Sequence, residues 1–241
     1  MGTLNPQIDL FQRESLQSVV HDLRTPMTVI KGYLQMLLSG FAGPMTEEQE
    51  KFLQRSVAPL EELILMTDNL MQTINLEKDE FQLKMEAVEI DLMIGDLLSF
   101  YELPFQQRHI TLTQEALPSN TFVRADPFWL RRVLHNLIWN AYKFTPDGGH
   151  VNIKAAIDCH PGHEGLTISV QDSGLGIPND KLQQIFQKFK QARSSDMKMG
   201  TGLGLWICKR VMELHKGYIR VDSAPGQGAR FTLWFPPTNV L

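Results

Sequence analysis

Residues 16–37 read LQSVVHDLRTPMTVIKGYLQML, and the apolar positions in that stretch decide the first half of the fold. Leu16, Val20, Leu23, Met27, Ile30, Leu34 and Leu37 recur in alternating steps of four and three. A mean spacing of about 3.5 forms a narrow seam, as in coiled coils and four-helix bundles. The pattern breaks at Ser39-Gly40-Phe41-Ala42-Gly43-Pro44, then resumes with Leu53, Val57, Leu60, Ile64, Thr67, Met71 and Ile74. Thr46, followed by Glu47, Glu48 and Gln49, predicts an N-cap with acids in the first turn of the second helix. Pro26 and Pro59 fall inside the helical patterns and are expected to bend them. Two helices cannot bury both seams and their flanks well, whereas two hairpins packed as a four-helix bundle can. The pattern therefore predicts a homodimer.

Composition narrows the function classes. At 241 residues the chain has room for two modest domains. A net charge of −4 without a basic block gives no grip on nucleic acid. No apolar run approaches the ~18–20 residues that span a bilayer, and no signal peptide opens the chain. Cys159 and Cys208 are isolated, without metal-ligand spacing, which predicts reduced thiols and a cytoplasmic setting.

Beyond a linker at 76–87 the periodicity changes. Helices are predicted near 91–107, 127–144, 181–186 and 202–215. Strands are predicted near 110–114, 122–125, 151–156, 166–171, 218–222 and 229–235. The strands come in pairs rather than in strict βαβ alternation, which predicts a mixed sheet with helices on one face. The expected class is α+β: a helical hairpin over 1–75, then an α/β sandwich over 88–241.

Four local patterns carry chemistry. His21 lies about 100° around the helix from the seam residue Val20, on the flank of the bundle. Asp22 can accept the Nδ1 proton and leave Nε2 as the nucleophile, since an imidazole near neutral pH is largely uncharged. Thr25, one turn on, offers a hydroxyl that could orient an attacking water. In the helix opened by Asp126 and Pro127, residues Asn136, Asn140 and Lys143 share one face. An amide oxygen suits Mg²⁺ and an ammonium suits phosphate. Asp172 ends a strand and begins DSGLGIP, so its carboxylate can accept from an exocyclic amine while the glycines let the backbone approach a flat ligand. GTGLGL at 200–205 opens a helix, where free N–H groups attract phosphate. A Rossmann loop and a Walker loop are both excluded by the surrounding residues. Between the glycine loops, Phe186 and Phe189 precede a polar, Ser-rich stretch with the composition of a lid.

In this order the motifs resemble the catalytic core of a sensor histidine kinase, over roughly residues 12–237. The resemblance implies a dimeric phosphotransfer hairpin followed by an ATP-binding domain of the Bergerat type shared with Hsp90, gyrase and MutL. It implies that His21 is the phospho-acceptor, Asp22 the assisting acid and Thr25 the phosphatase residue. Asn140 would ligate Mg²⁺, with Asn136 and Lys143 on the phosphates. Asp172, Gly174 and Gly176 would hold adenine and Gly200, Gly202 and Gly204 the phosphate side of the lid, with Phe144, Ile177, Phe189, Thr201 and Leu203 also in the ATP-binding site. The implied reaction is ATP-dependent autophosphorylation, then transfer to an aspartate of a response regulator. One departure stands out. Where many members carry an arginine, this chain has Gln191, so that role is absent or passes to Lys190 or Arg193. The chain is expected to be a cytosolic kinase or the cytosolic part of a larger sensor. The rivals are a degenerate ATP-binding scaffold, a Bergerat ATPase clamp and a serine kinase. None of them needs both a histidine on a coiled hairpin and intact glycine loops.

Overall fold

The computed structural model describes residues 6–78, 80–115, 121–158, 164–191 and 201–240. These form two compact units, one of two long helices and one holding nearly everything from Glu80 onward.

In the first unit, α1 (Pro6–Leu38) and α2 (Glu47–Leu76) run unbroken through Pro26 and Pro59. Gly40 and Gly43 adopt positive φ, which lets the chain reverse between the helices. The expected cap is present and reciprocal. The Thr46 hydroxyl accepts from the Gln49 N–H (3.2 Å), and the Gln49 amide oxygen accepts from the Thr46 N–H (2.9 Å). Polar ties cross the hairpin at three levels: Gln17–Asn75 (3.0 Å), Arg24–Asp68 (3.3 Å) and Lys31–Glu61 (2.7 Å). Of the predicted seam, Val20, Leu60 and Ile74 are buried, while Leu23 and Ile30 remain about half exposed at 52% and 50%. Leu23 and Ile30 stand on the flank that one hairpin leaves uncovered, beside exposed Val19 and Tyr33.

The second unit contains β1 (Glu86–Glu89), α3 (Ile90–Gln107), β2 (Thr111–Glu115), β3 (Phe122–Ala125), α4 (Pro127–Phe144), β4 (His150–Asp158) and β5 (Gly165–Asp172). It continues with α5 (Gly204–Leu214), β6 (Tyr218–Ser223) and β7 (Ala229–Phe235). Strands β2-β4-β5-β7-β6 form one sheet in that order. The β2–β4 pair is parallel and the others antiparallel, the mixed sheet that the paired strands predicted. One face carries Val151, Ile153, Leu166, Ile168, Val170, Leu233 and Phe235, all nearly inaccessible beneath the helices. The other face is polar, with ties such as Lys154–Glu115 and Arg230–Gln171. Helices therefore cover a single face.

Two predictions need correction. No α-helix spans 181–186; that stretch makes two short 3₁₀ turns, Asn179–Lys181 and Gln184–Phe186. Too few apolar positions lie there to give a helix a buried stripe, and only Ile185 is buried. Within the expected linker, Glu86 and Ala87 already belong to β1, which pairs antiparallel with β3 in a separate two-stranded sheet.

A buried histidine ties the ends of α4 and α5 together. His215 Nε2 accepts from the Asp126 N–H (2.9 Å), while Nδ1 donates to the Val211 carbonyl (2.8 Å). That pattern requires the neutral imidazole, and burial pushes its pKa down accordingly.

Candidate functional site

On α1, the His21 side chain is 72% exposed. Its Nδ1 lies 3.4 Å from Asp22 Oδ1, which suits the tautomer with a free Nε2. Thr25 sits one turn on, and its hydroxyl donates weakly to the His21 carbonyl at 3.4 Å, the limit of a hydrogen bond. All three side chains lie at the solvent surface of the hairpin.

In the second unit, α4 presents the asparagine face. Its first turn is set by Asp126, whose Oδ1 accepts from the N–H groups of Phe128 and Trp129, both at 3.1 Å. Asp126 Oδ2 also accepts from the Lys84 N–H (2.8 Å), so one carboxylate anchors the chain entering the unit. Asn136 is buried and donates to the Gly204 carbonyl (3.3 Å), joining the asparagine face to the start of α5. Asn140 is half-buried, and among the described residues its side chain makes no hydrogen bond. The Lys143 ammonium lies 5.0 Å from the Phe144 ring centroid.

Asp172, like Asp126, is a buried acid of this unit. At 6% exposure, its Oδ1 accepts from the N–H groups of Gly174 (2.8 Å) and Ala229 (3.2 Å). Burial pushes its pKa up, and the two N–H donors with nearby His150 oppose the rise. Both of those donors reach Oδ1, and among the described residues Oδ2 accepts no hydrogen bond.

Glycine is required in two places around this acid. A Cβ on Gly174 would lie 2.5 Å from the Phe144 carbonyl oxygen, so the first glycine loop is pressed onto the end of α4. Gly176, at φ +66°, would place a Cβ 1.9 Å from the Ala224 carbonyl. The turn between β6 and β7 closes this side, with the Gly226 N–H donating to the Leu175 carbonyl (2.8 Å) and Ser223 accepting from the Ile177 N–H (2.9 Å). The sequence reading missed that turn, although APGQGAR at 224–230 carries a glycine pair that marks it.

The second glycine loop and the phenylalanine segment before it are described in part. Phe186 packs edge-on against Phe231, while Phe189 is exposed at a positive φ of 61°. The Phe189 N–H donates to the Gly202 carbonyl (3.0 Å), joining the phenylalanine segment to the second glycine loop. Thr201 and Gly204 are half-exposed and Leu203 is buried, just before or at the start of α5. Lys188 lies over the Trp206 ring at 4.6 Å. Gly200, Arg193 and the Ser-rich stretch lie outside the described residues, as does Cys159. Burial pushes the Cys208 thiol up to about 12, so it is inert at neutral pH.

Two family models match the chain. Residues 11–78 match the His Kinase A (phospho-acceptor) domain, and residues 125–239 match the histidine kinase-, DNA gyrase B- and HSP90-like ATPase. The chain is 31% identical over 236 residues to the sensor histidine kinase WalK of Bacillus subtilis, covering 97% of this chain and 38% of the relative. It is 32% identical over 232 residues to the circadian input-output histidine kinase CikA of Synechococcus elongatus, covering 95% and 30%. The chain thus spans about a third of the length of these relatives. Among solved structures, full-length ShkA in complex with AMPPNP superposes with a TM-score of 0.71 at 26% identity, over 92% of this chain and 45% of that one. The mycobacterial sensor histidine kinase MprB superposes at 0.54 with 28% identity, over 63% and 97%.

Proposed function

We propose, taking as premise that the chain belongs to the histidine kinase family as its catalytic core, that it transfers the γ-phosphoryl group of ATP to Nε2 of His21. The observation that carries this is a pairing within one chain. An exposed histidine beside an acid sits on the hairpin, and a buried carboxylate with one uncommitted oxygen sits in the ATPase unit. In this reading Asp172 Oδ2 accepts from the adenine amine, and the glycine loops let the ring lie against bare backbone. The Lys143 ammonium and the N–H groups opening α5 face the phosphates.

Asn140 fits a Mg²⁺ ion. Its half-buried amide makes no bond to another described residue, and an amide oxygen is a hard donor. No cluster of three or more His, Cys, Asp or Glu side chains could hold a metal among the described residues. A cation would rest on Asn140 and on the nucleotide's own oxygens, where it would neutralise developing phosphate charge.

During transfer the Nε2 lone pair attacks the γ-phosphorus, the bond to the β–γ bridging oxygen breaks, and ADP leaves. Asp22 takes the Nδ1 proton as the imidazole becomes cationic. The phosphoryl group then passes to a carboxylate of a response-regulator receiver domain, and Thr25 orients the water that cleaves the resulting acyl phosphate to carboxylate and inorganic phosphate. A second copy of the chain covers the flank marked by Leu23 and Ile30, giving the four-helix bundle. No described helix is long and apolar enough to cross a membrane.

Incubation with ATP and Mg²⁺ tests the core of this reading. The protein should gain an acid-labile, alkali-stable phosphoryl group, and His21→Ala should abolish the label while retaining nucleotide binding. Labelling that persists in His21→Ala would overturn it.

A further inference from the structure

Arg108 follows directly on α3, far in sequence from every motif, yet its side chain is committed to the end of α4. Its Nη1 donates to the Tyr142 carbonyl and its Nη2 to the Thr145 carbonyl (2.8 Å), while Nε donates to Asp147 (2.8 Å). The guanidinium carbon also lies 4.9 Å from the Tyr142 ring centroid. Its own carbonyl accepts from the Gly148 N–H (3.1 Å). One residue therefore binds the last turn of α4 and both sides of the loop that follows.

A helix end leaves its last carbonyls without intrahelical partners, and a planar fork with several donors satisfies two of them at once. The turn held this way carries Lys143 and Phe144. The Phe144 carbonyl packs against Gly174, whose N–H donates to Asp172 Oδ1. The contacts thus run from Arg108 through the α4 terminus to Gly174 and on to Asp172. A shift of a few tenths of an ångström at the helix end has no slack to absorb it, because Gly174 already has no room for a Cβ.

We propose that Arg108 is a positioning residue for adenine recognition, acting through the end of α4 on Gly174 and Asp172. This rests on the assignment of Asp172 to the adenine amine. Lysine would keep the charge but lose the fork, so the substitution is not conservative here.

The test measures equilibrium binding of ATP and GTP by calorimetry, alongside thermal unfolding, for the parent protein, Arg108→Lys and Asp147→Asn. Arg108→Lys should weaken ATP affinity about tenfold and bring the ATP-to-GTP ratio toward unity. Labelling of His21 at saturating ATP should stay within about twofold, a KM effect rather than a kcat effect. Asp147 is exposed and orients the guanidinium only from outside, so Asp147→Asn should fold normally and show the same trend more weakly. Should Arg108→Lys unfold, Asp147→Asn decides, and unchanged affinity and selectivity there would count against the proposal. A lower melting temperature with unchanged affinity and selectivity in Arg108→Lys would make Arg108 a stabilising cap only and overturn the proposal. A parent protein that binds no ATP would instead overturn the functional reading beneath it.

Discussion

The hairpin and the ATPase unit hold their key acidic and basic groups in opposite ways. The His21 side chain stands 72% exposed, with Asp22 Oδ1 3.4 Å from its ring at the edge of hydrogen-bond range. Asp172 is 6% exposed and held by two backbone donors in a loop with no room for a side chain at positions 174 and 176. Under the proposed reaction the contrast follows from their tasks. An acceptor that must meet a nucleotide and later a second protein gains from access. A carboxylate that must tell one base from another gains from desolvation, because an unpaired buried donor or acceptor then carries a penalty.

The contrast breaks most completely on the exposed side. Ile30→Glu places a charge on the flank that a second hairpin is to cover, at a cost of several kcal/mol for an unpaired buried carboxylate. Sedimentation should show the dimer lost or weakened by more than about a hundredfold, with the nucleotide affinity of the ATPase unit unchanged. A stable monomer in the parent protein would contradict the bundle.

On the buried side, Asp172→Asn should weaken ATP binding at least about tenfold and relax discrimination against GTP. Its effect on stability runs the other way. Burial raises the folded-state pKa, so this group contributes most stability below the usual carboxylate range and loses it as pH rises through the folded value. Above the folded value the charge is a liability to the unliganded fold, and there the asparagine variant should melt at the same temperature or higher. Unchanged affinity with lowered stability would reverse the assignment.

Thr25→Ala separates the two directions of chemistry on the hairpin. Dephosphorylation of a receiver domain should fall about tenfold, while His21 labelling stays within about twofold. Parallel time courses with equal losses would reduce Thr25 to a neighbour of Pro26 that shapes the helix.

The smallest effect concerns His215, where burial holds the folded-state pKa down. A depressed folded value means that its contribution to stability is full above pH ~6.5 and falls as the pH drops toward the folded value. The denaturant midpoint should be lower at pH 5.5 than at pH 7.5, and His215→Gln should flatten the difference. An unaltered slope would show that the acid sensitivity lies elsewhere, with His135 the next candidate, since burial lowers its pKa too.

Local patterns were readable wherever the physics is local. Thr46, Asp126 and Pro127 announced their helix starts because a cap is settled within four residues, and both caps form as expected. The alternation in β4, β5 and β7 announced strands because one face of each is buried. The stretch 181–186 misled because a few apolar residues imitate a helix, whereas its backbone makes only two short turns. The strand at 86–89 was not legible, since its partner β3 lies more than thirty residues away.

By itself the sequence determined which side chains were available for chemistry. His21 with Asp22, the Asn136–Asn140–Lys143 face and Asp172 with its glycines are all short-range spacings, which helical and strand geometry translate directly into shared faces. Tertiary structure alone decided what holds them. The neutral His215 between α4 and α5, the β6–β7 turn against Gly176 and Leu175, and the Arg108 fork on the last turn of α4 each join residues distant in sequence. Such contacts depend on which unpaired donors and acceptors meet when the layers close, and no local periodicity encodes that meeting.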